Sequence, residues 1–195
     1  MSDRMMMDTD TAQALDSFMQ QVDALHSASG WPRLPYDPDW PSQCYQHTAN
    51  AGVEVSWHPV HNHDGTDMFD RLSTALGITI HPALATYFSR YWSDPLPARL
   101  PDGREICLLQ AWNPEDLERL RANLVGHALS KHKQKRPLTL FFATLEPDTD
   151  YFLSIDNQSG HIWLERPGKP PQEQLASSLG ELLRNLTPLP LTDQS

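Results

Sequence analysis

Three histidines and an aspartate fall within seven residues, His58-Pro59-Val60-His61-Asn62-His63-Asp64. Imidazole and carboxylate are ordinary ligands for zinc or iron. Pro59 and the following Gly65-Thr66 mark a surface turn, however, and no helical pair such as His-Glu-x-x-His supplies rigid geometry. The stretch reads as a turn that picks up nickel or zinc adventitiously rather than as a metal centre. His127, a second candidate base, lies inside a long predicted helix and reads as a packed or surface histidine. There is no nucleophile elbow and no Gly-rich phosphate loop. The residues point to a binding protein, not an enzyme, with no cofactor, no metal and no small-molecule substrate.

Charge is the stronger signal. The chain of 195 residues carries 25 acidic and 15 basic residues, a formal net charge of −10. That balance disfavours nucleic acid, whose phosphates require a basic face, and direct adhesion to anionic lipid. Among partners it suits a basic protein segment best, although on charge alone solubility is the first explanation. The charges are also segregated. Lys131, Lys133, Lys135 and Arg136 close the longest predicted helix, while Glu146, Asp148, Asp150 and Asp156 crowd the strand turns with no basic residue among them. Helix-dipole preferences account for the basic helix end and for Glu115 and Asp116 at its start. The strand-turn acids have no such local cause.

The elements that position these residues follow from periodicity. Residues 9 to 28 place Leu15, Phe18, Val22 and Leu25 on one helical face, with Thr9 or Asp10 as cap and Gly30 as stop. Pro32, Pro35, Pro38 and Pro41 hold an extended arm with Trp31, Tyr36 and Trp40 between them. A strand at Val53–Trp57 precedes a helix capped by Thr66 or Asp67 and running to Leu76, then a short extended Ile78–Ile80. A helix is predicted from Pro82 to Trp92 and a strand from Glu105 to Gln110. The long helix follows, capped by Asn113 with Pro114 first, faced by Leu117, Leu120, Leu124 and Leu129, and stopped at Pro137. Leu138–Leu145, Tyr151–Asp156 and His161–Glu165 form an antiparallel meander, and Gln172–Leu186 reads as a last helix. Cys44 and Cys107 read as buried reduced thiols. No secretion signal is legible at the start and no apolar run is long enough to cross a bilayer.

Several blocks carry a family likeness. Leu108-Leu109-Gln110-Ala111-Trp112-Asn113-Pro114-Glu115-Asp116, Asn123-Leu124-Val125-Gly126-His127 and Pro137-Leu138-Thr139-Leu140-Phe141-Phe142-Ala143-Thr144-Leu145-Glu146 resemble the Syd family, the SecY-interacting proteins of gammaproteobacteria. Thr11–Leu15, Trp31-Pro32, Pro41-Ser42-x-Cys44, Asn157-x-Ser159-Gly160 and the leucine-rich end from Leu175 to Leu183 extend the likeness over nearly the whole chain. The His58–Gly65 loop and the Asp94–Gly103 connection match it least.

The resemblance implies one α+β domain of the wider SUKH type spanning residues 1–195. Its sheet would be mainly antiparallel and flanked by helices, with residues 1–8 and 187–195 as frayed tails. It implies an acidic groove that binds the basic cytoplasmic loops of SecY, so that the protein is cytoplasmic and peripheral on the cytoplasmic side of the inner membrane. Such a protein would sequester unassembled SecY or restrain and quality-control the translocase. A SUKH-type immunity protein that binds a basic toxin is the alternative. The expected lining is Asp67, Asp70, Glu115, Asp116, Glu146, Asp148 and Asp156, with Trp92 and Trp112 as aromatic anchors.

Overall fold

The computed structural model describes residues 6–193. Its centre is a seven-stranded antiparallel sheet in the order β10-β9-β8-β7-β6-β5-β11. The strands are β5 (Leu96–Arg99), β6 (Glu105–Leu108), β7 (Thr139–Glu146), β8 (Phe152–Asp156), β9 (Ile162–Glu165), β10 (Glu173–Ala176) and β11 (Thr187–Pro188). Two short pairs stand apart. One joins β1 (Arg33–Pro35) to β2 (Glu54–Ser56) within the Pro-rich arm; the other joins β3 (Val60–His61) to β4 (Tyr91–Trp92).

The α1 (Thr9–Ser27), α3 (Pro82–Ser89) and α5 (Leu179–Asn185) helices pack with one another against one side of the sheet. That side carries Ile106, Leu108, Leu140, Leu153, Ile155 and Ile162, all fully buried, and the Tyr87 ring of α3 meets Phe142 edge-on at 5.6 Å. Because side chains alternate along a strand, Phe141, Ser154 and Glu165 point to the opposite side. There α4 (Pro114–Lys133) covers them, with α2 (Met68–Leu76) beside it. The fold is therefore a single α+β domain whose mainly antiparallel sheet is flanked by helices.

The α4 helix is fastened to the sheet by a buried polar cluster. Glu165 is fully buried and forms an ion pair with Lys131 of α4, and it accepts from the hydroxyls of Thr139 and Ser154. One turn back, the His127 ring nitrogen meets the Thr139 carbonyl at 2.8 Å, and its ring sits edge-on to Phe141 and Phe152. Lys131 is thus more than a dipole-favoured cation in the last helical turn; it is the counter-ion of a buried carboxylate.

Several predicted elements are corrected. The helix from Pro82 ends at Ser89, and Tyr91-Trp92 become a strand. The Asn62 side-chain amide donates to the Ser89 carbonyl and its backbone amide to that of Arg90, which gives the helix end partners and brings β3 alongside. The helix expected over Gln172–Leu186 divides into β10, captured by the edge of β9, and the short α5. Ser178 caps α5 by accepting from the Glu181 amide, so the helix starts there. The tail expected to fray from 187 is held over its described part. Thr187 and Pro188 pair with β5, Leu189 donates to the Pro97 carbonyl, and Asp193 accepts from the Arg33 amide. At the other end Asp8, expected to fray, caps α1 in place of Thr9 or Asp10; residues 1–5 and 194–195 lie outside the described part. Leu25 and Leu129, assigned to buried helix faces, are exposed, and Ile78–Ile80 forms no strand.

The buried pair makes a sharp stability prediction. Glu165→Ala leaves Lys131 charged and unpaired beneath α4 and costs about 3–5 kcal/mol. Combining Lys131→Met with Glu165→Gln removes both charges and keeps an acceptor for Thr139 and Ser154, so this double variant recovers most of that loss. The urea midpoints of the three proteins check both statements.

Candidate partner-binding surface

The α4 helix does not cover all of its side of the sheet. Register places Pro97, Cys107 and Thr144 in one row across β5, β6 and β7, and Arg99, Glu105 and Glu146 in the next. All six are half-buried or exposed. Glu105 and Glu146 are direct cross-strand neighbours, an arrangement of like charges that weakens a sheet unless something offsets it. Arg99 pairs with Glu105 at 2.8 Å, while Glu146 accepts only from the Thr144 hydroxyl at 3.2 Å among the contacts described. Cys107 lies between this row and Asp94. Burial raises its thiol to about 11, and Glu146 and then Asp94 add to the effect.

Beyond Asp94 the surface continues into two clefts beside the α4 N-terminus. One, of about 370 Å³, lies between Trp92, Trp112 and Pro114 and the Pro-rich arm residues Tyr36, Ser42 and Tyr45. The other, also about 370 Å³, is lined by Trp40, Tyr45, Asp94, Gln110, Trp112 and Asp116, with Leu34 and Pro95 at its edge. Tyr45 and Trp112 touch edge-on at 5.1 Å and form the partition. The arm is anchored to α4 by Trp112 and Asn113, whose side chains donate to the carbonyls of Trp40 and Pro41. Ser42 in turn donates to the Trp112 carbonyl. The arm and the helix start are therefore one rigid unit.

The expected lining residues separate into groups. Trp92 and Trp112 converge on one cleft, yet each is only 5% exposed. They are walls rather than protruding anchors, because both rings complete the core beneath the arm. Asp116 lines the neighbouring cleft, but its carboxylate also accepts from the Trp112 amide and so helps to cap α4. Glu115 is exposed on the same first turn. Glu146 stands on the sheet. Asp148, at the hairpin tip just after it, accepts weakly from the Asp150 amide at 3.3 Å.

Asp67 and Asp70 lie elsewhere, with Asp64, in a larger cleft of about 590 Å³ between α2 and the end of α3. Asp67 is also bonded to Arg71. On the floor of that cleft Arg90 binds Asp16 through two nitrogens at 2.6 Å, which holds the Asp16 carboxyl below its usual range. Asp156 does not join the surface. It pairs with Thr139 at the opposite end of β7 from Glu146, a separation of about 23 Å along the strand. Its carboxylate accepts from the amides of Gln158 and Ser159 to shape the β8–β9 turn.

Of the histidine cluster, His58 contacts its neighbouring Pro59 carbonyl and the Trp31 ring, and His61 packs on His63 and Tyr91. No grouping of three or more such side chains with metal-binding geometry occurs among the described residues.

Three functional candidates escaped the sequence reading. Asp94 looked like a helix breaker ahead of Pro95. Glu105 looked like the start of a strand, although its outward place in Glu105-Ile106-Cys107-Leu108 was a usable signal. Gln110 looked like the end of that strand; it is buried beneath the cleft.

The chain matches a family model described as Syd protein (SUKH-2) over residues 12–188. It is 42% identical over 181 residues to Protein Syd of Pseudoalteromonas atlantica, covering 90% of this chain and 95% of the relative. To Protein Syd of Hahella chejuensis it is 42% identical over 172 residues, covering 86% and 88%. To that of Alteromonas mediterranea it is 37% identical over 175 residues, covering 90% and 94%.

Cys107 offers a built-in reporter of the acidic face. In a Cys44→Ala background its alkylation by iodoacetamide at pH 8 is about a hundredfold slower than that of an exposed thiol, because so little thiolate is present. Glu146→Gln removes one of the charges that hold the thiol up and speeds the reaction severalfold. An unchanged rate means that Glu146 does not act on Cys107.

Proposed function

The chain belongs to the Syd family, and from that premise we propose that it binds the basic cytoplasmic loops of SecY through the acidic outer face of its sheet. Asp94, Glu105, Glu115, Asp116 and Glu146 supply the field, and the cleft walled by Trp92 and Trp112 supplies contact area. The observation that carries this reading is the placement of Glu146 directly opposite Glu105 on a half-open sheet face, where Arg99 pairs with Glu105 alone among the contacts described. Like charges set side by side on a half-open surface are costly to the fold, and a cationic partner relieves that cost.

Cytoplasmic loops of membrane proteins are enriched in lysine and arginine, which matches the sign of this face. The net charge of −10 speeds encounter with such a loop. No helix among the described residues is long and apolar enough to cross a membrane. In this reading the protein is held at the cytoplasmic side of the inner membrane by its receptor rather than by lipid. A protein clasping these loops would sequester unassembled SecY or keep the translocation machinery from docking, which restrains the translocase. The role is one of recognition: it calls for no catalytic group and no cofactor. Asp67 and Asp70, in their separate cleft, extend the acidic field toward the same partner without belonging to the primary contact.

Binding of a SecY cytoplasmic-loop peptide, measured by calorimetry or fluorescence anisotropy, should weaken about fivefold to tenfold between roughly 50 and 300 mM salt, because exposed attraction is screened. Glu146→Lys should weaken it by about tenfold or more. Asp23→Lys on the exposed side of α1 changes net charge equally and should have little effect. Affinity that ignores salt, or equal losses in the two variants, would overturn the proposed surface.

A further inference from the structure

The far end of α4 carries a surface of the opposite kind. Between the end of α2 and the last turns of α4 lies a groove of about 330 Å³. Ala75, Leu76, Ile78, Ala128, Leu129 and Leu138 line it, and no carboxylate does so among the described residues. Leu129 is 58% exposed and Ile78 37%, so two exposed large apolar side chains share one recess. Apolar area gathered in this way and rimmed by charge is the usual mark of an interaction surface.

The rim is basic. His132 and Arg136 border the groove, and the Arg136 side chain donates to the Gly168 carbonyl at 2.9 Å. That bond brings Lys169, in the loop between β9 and β10, beside Lys133 and Lys135. Lys131 also lines the groove but is already paired with Glu165. Of the described lysines and arginines that make no ion pair, all but Arg33 gather here. The chain has a net charge of −10, yet Lys133, Lys135, Arg136 and Lys169 have no carboxylate partner among the described residues. The α4 dipole favours the cations that close the helix, but Lys169 belongs to another element.

The backbone points the same way. Lys135 has a φ of 54°, the one left-handed value at a described residue other than glycine. Its amide and that of Arg136 close α4 by donating to the carbonyls of His132 and Lys131. Glycine is the easier residue at such a stop. A lysine there works against the fold and adds a charge to the rim.

We propose that this groove binds an acidic segment of a further partner protein. The segment sets apolar side chains between α2 and α4 and carboxylates against Lys133, Lys135, Arg136 and Lys169. Charge complementarity selects that occupant. A peptide suits the site better than a bilayer, because the apolar area is recessed between helices and the chain as a whole repels anionic lipid. The groove lies about 30 Å along α4 from the helix start. Both ends can therefore be occupied at once, and the chain can hold a basic segment and an acidic one together. The groove is independent of the SecY reading, and its test needs no SecY peptide.

The probe is the fluorescein-labelled peptide Glu-Leu-Glu-Glu-Leu-Leu-Glu-Glu, titrated with the full chain and followed by anisotropy. Binding should saturate, and peptides with serine for leucine or glutamine for glutamate should each bind about tenfold more weakly or worse. Lys135→Gly and Lys169→Gln should each weaken binding about twofold to fivefold, and Leu129→Ser about threefold to tenfold. Lys135→Gly relieves the left-handed turn, so its urea midpoint should hold or rise and its lost binding is not unfolding. Arg184→Gln removes an equal charge where α1 meets α5 and Arg184 pairs with Asp10, and should leave binding unchanged. Absence of saturable binding, equal binding of the serine peptide, or equal losses in Arg184→Gln and Lys135→Gly overturns the groove. Sedimentation with vesicles of phosphatidylglycerol and phosphatidylcholine tests the other anionic surface; vesicle binding without peptide binding overturns the proposal in favour of lipid. Self-association in the ultracentrifuge that Leu129→Ser abolishes overturns it in favour of a second copy of the chain.

Discussion

The bond between Lys131 and Glu165 fixes where α4 lies, and most of the functional surface follows from that position. A buried carboxylate must be paired and saturated with donors, and here the lysine, Thr139 and Ser154 supply them from one helix and two strands. A change in the rotation or axial register of α4 would separate Lys131 from that carboxylate. About 27 Å along the helix from that pair, Asn113 and Trp112 grip the Pro-rich arm. The clefts exist because the arm, the helix start and the β5–β6 end meet there, and the meeting point is set from the far end of the helix.

The acidic character of the chain resolves into two populations. Some carboxylates have local tasks: Asp8 and Asp116 serve helix starts, Asp156 shapes a turn, and Asp16 holds Arg90. These would be present in a protein that recognised nothing. Glu105 and Glu146 differ, because their direct cross-strand placement sets two like charges side by side, which brings no benefit to folding. Asp116 belongs to both groups, since it closes a helix start and walls a cleft.

Legibility in the sequence tracked how local each cause was. The α4 helix was readable because Asn113-Pro114 states its beginning, and the β7–β9 meander because alternation and the Asn157–Gly160 turn state its register. The β4, β10 and β11 strands were not readable. They are two to four residues long and form because a neighbouring edge is available, a cause that no window of sequence contains. The site shows the same division. Glu146, Asp116 and the two tryptophans could be named from their segments, whereas the placement of Glu146 opposite Glu105 depends on the pairing of β6 with β7. The family likeness carried the overall architecture; it could not say that Asp67 and Asp70 sit in a different cleft from Trp112, or that Asp156 lies at the far end of the strand.

The outermost strand of the sheet, β11, is two residues long and one of them is Pro188. A proline has no amide hydrogen to offer, so this margin is a poor template for a further strand. At the other margin, β10 is interrupted by a register shift between Gln174 and Ala176, and Arg104 reaches across to Glu173. Both borders are thus closed to copies of the same chain. A molecule built this way can accumulate in the cell without stacking into fibrils through its own sheet.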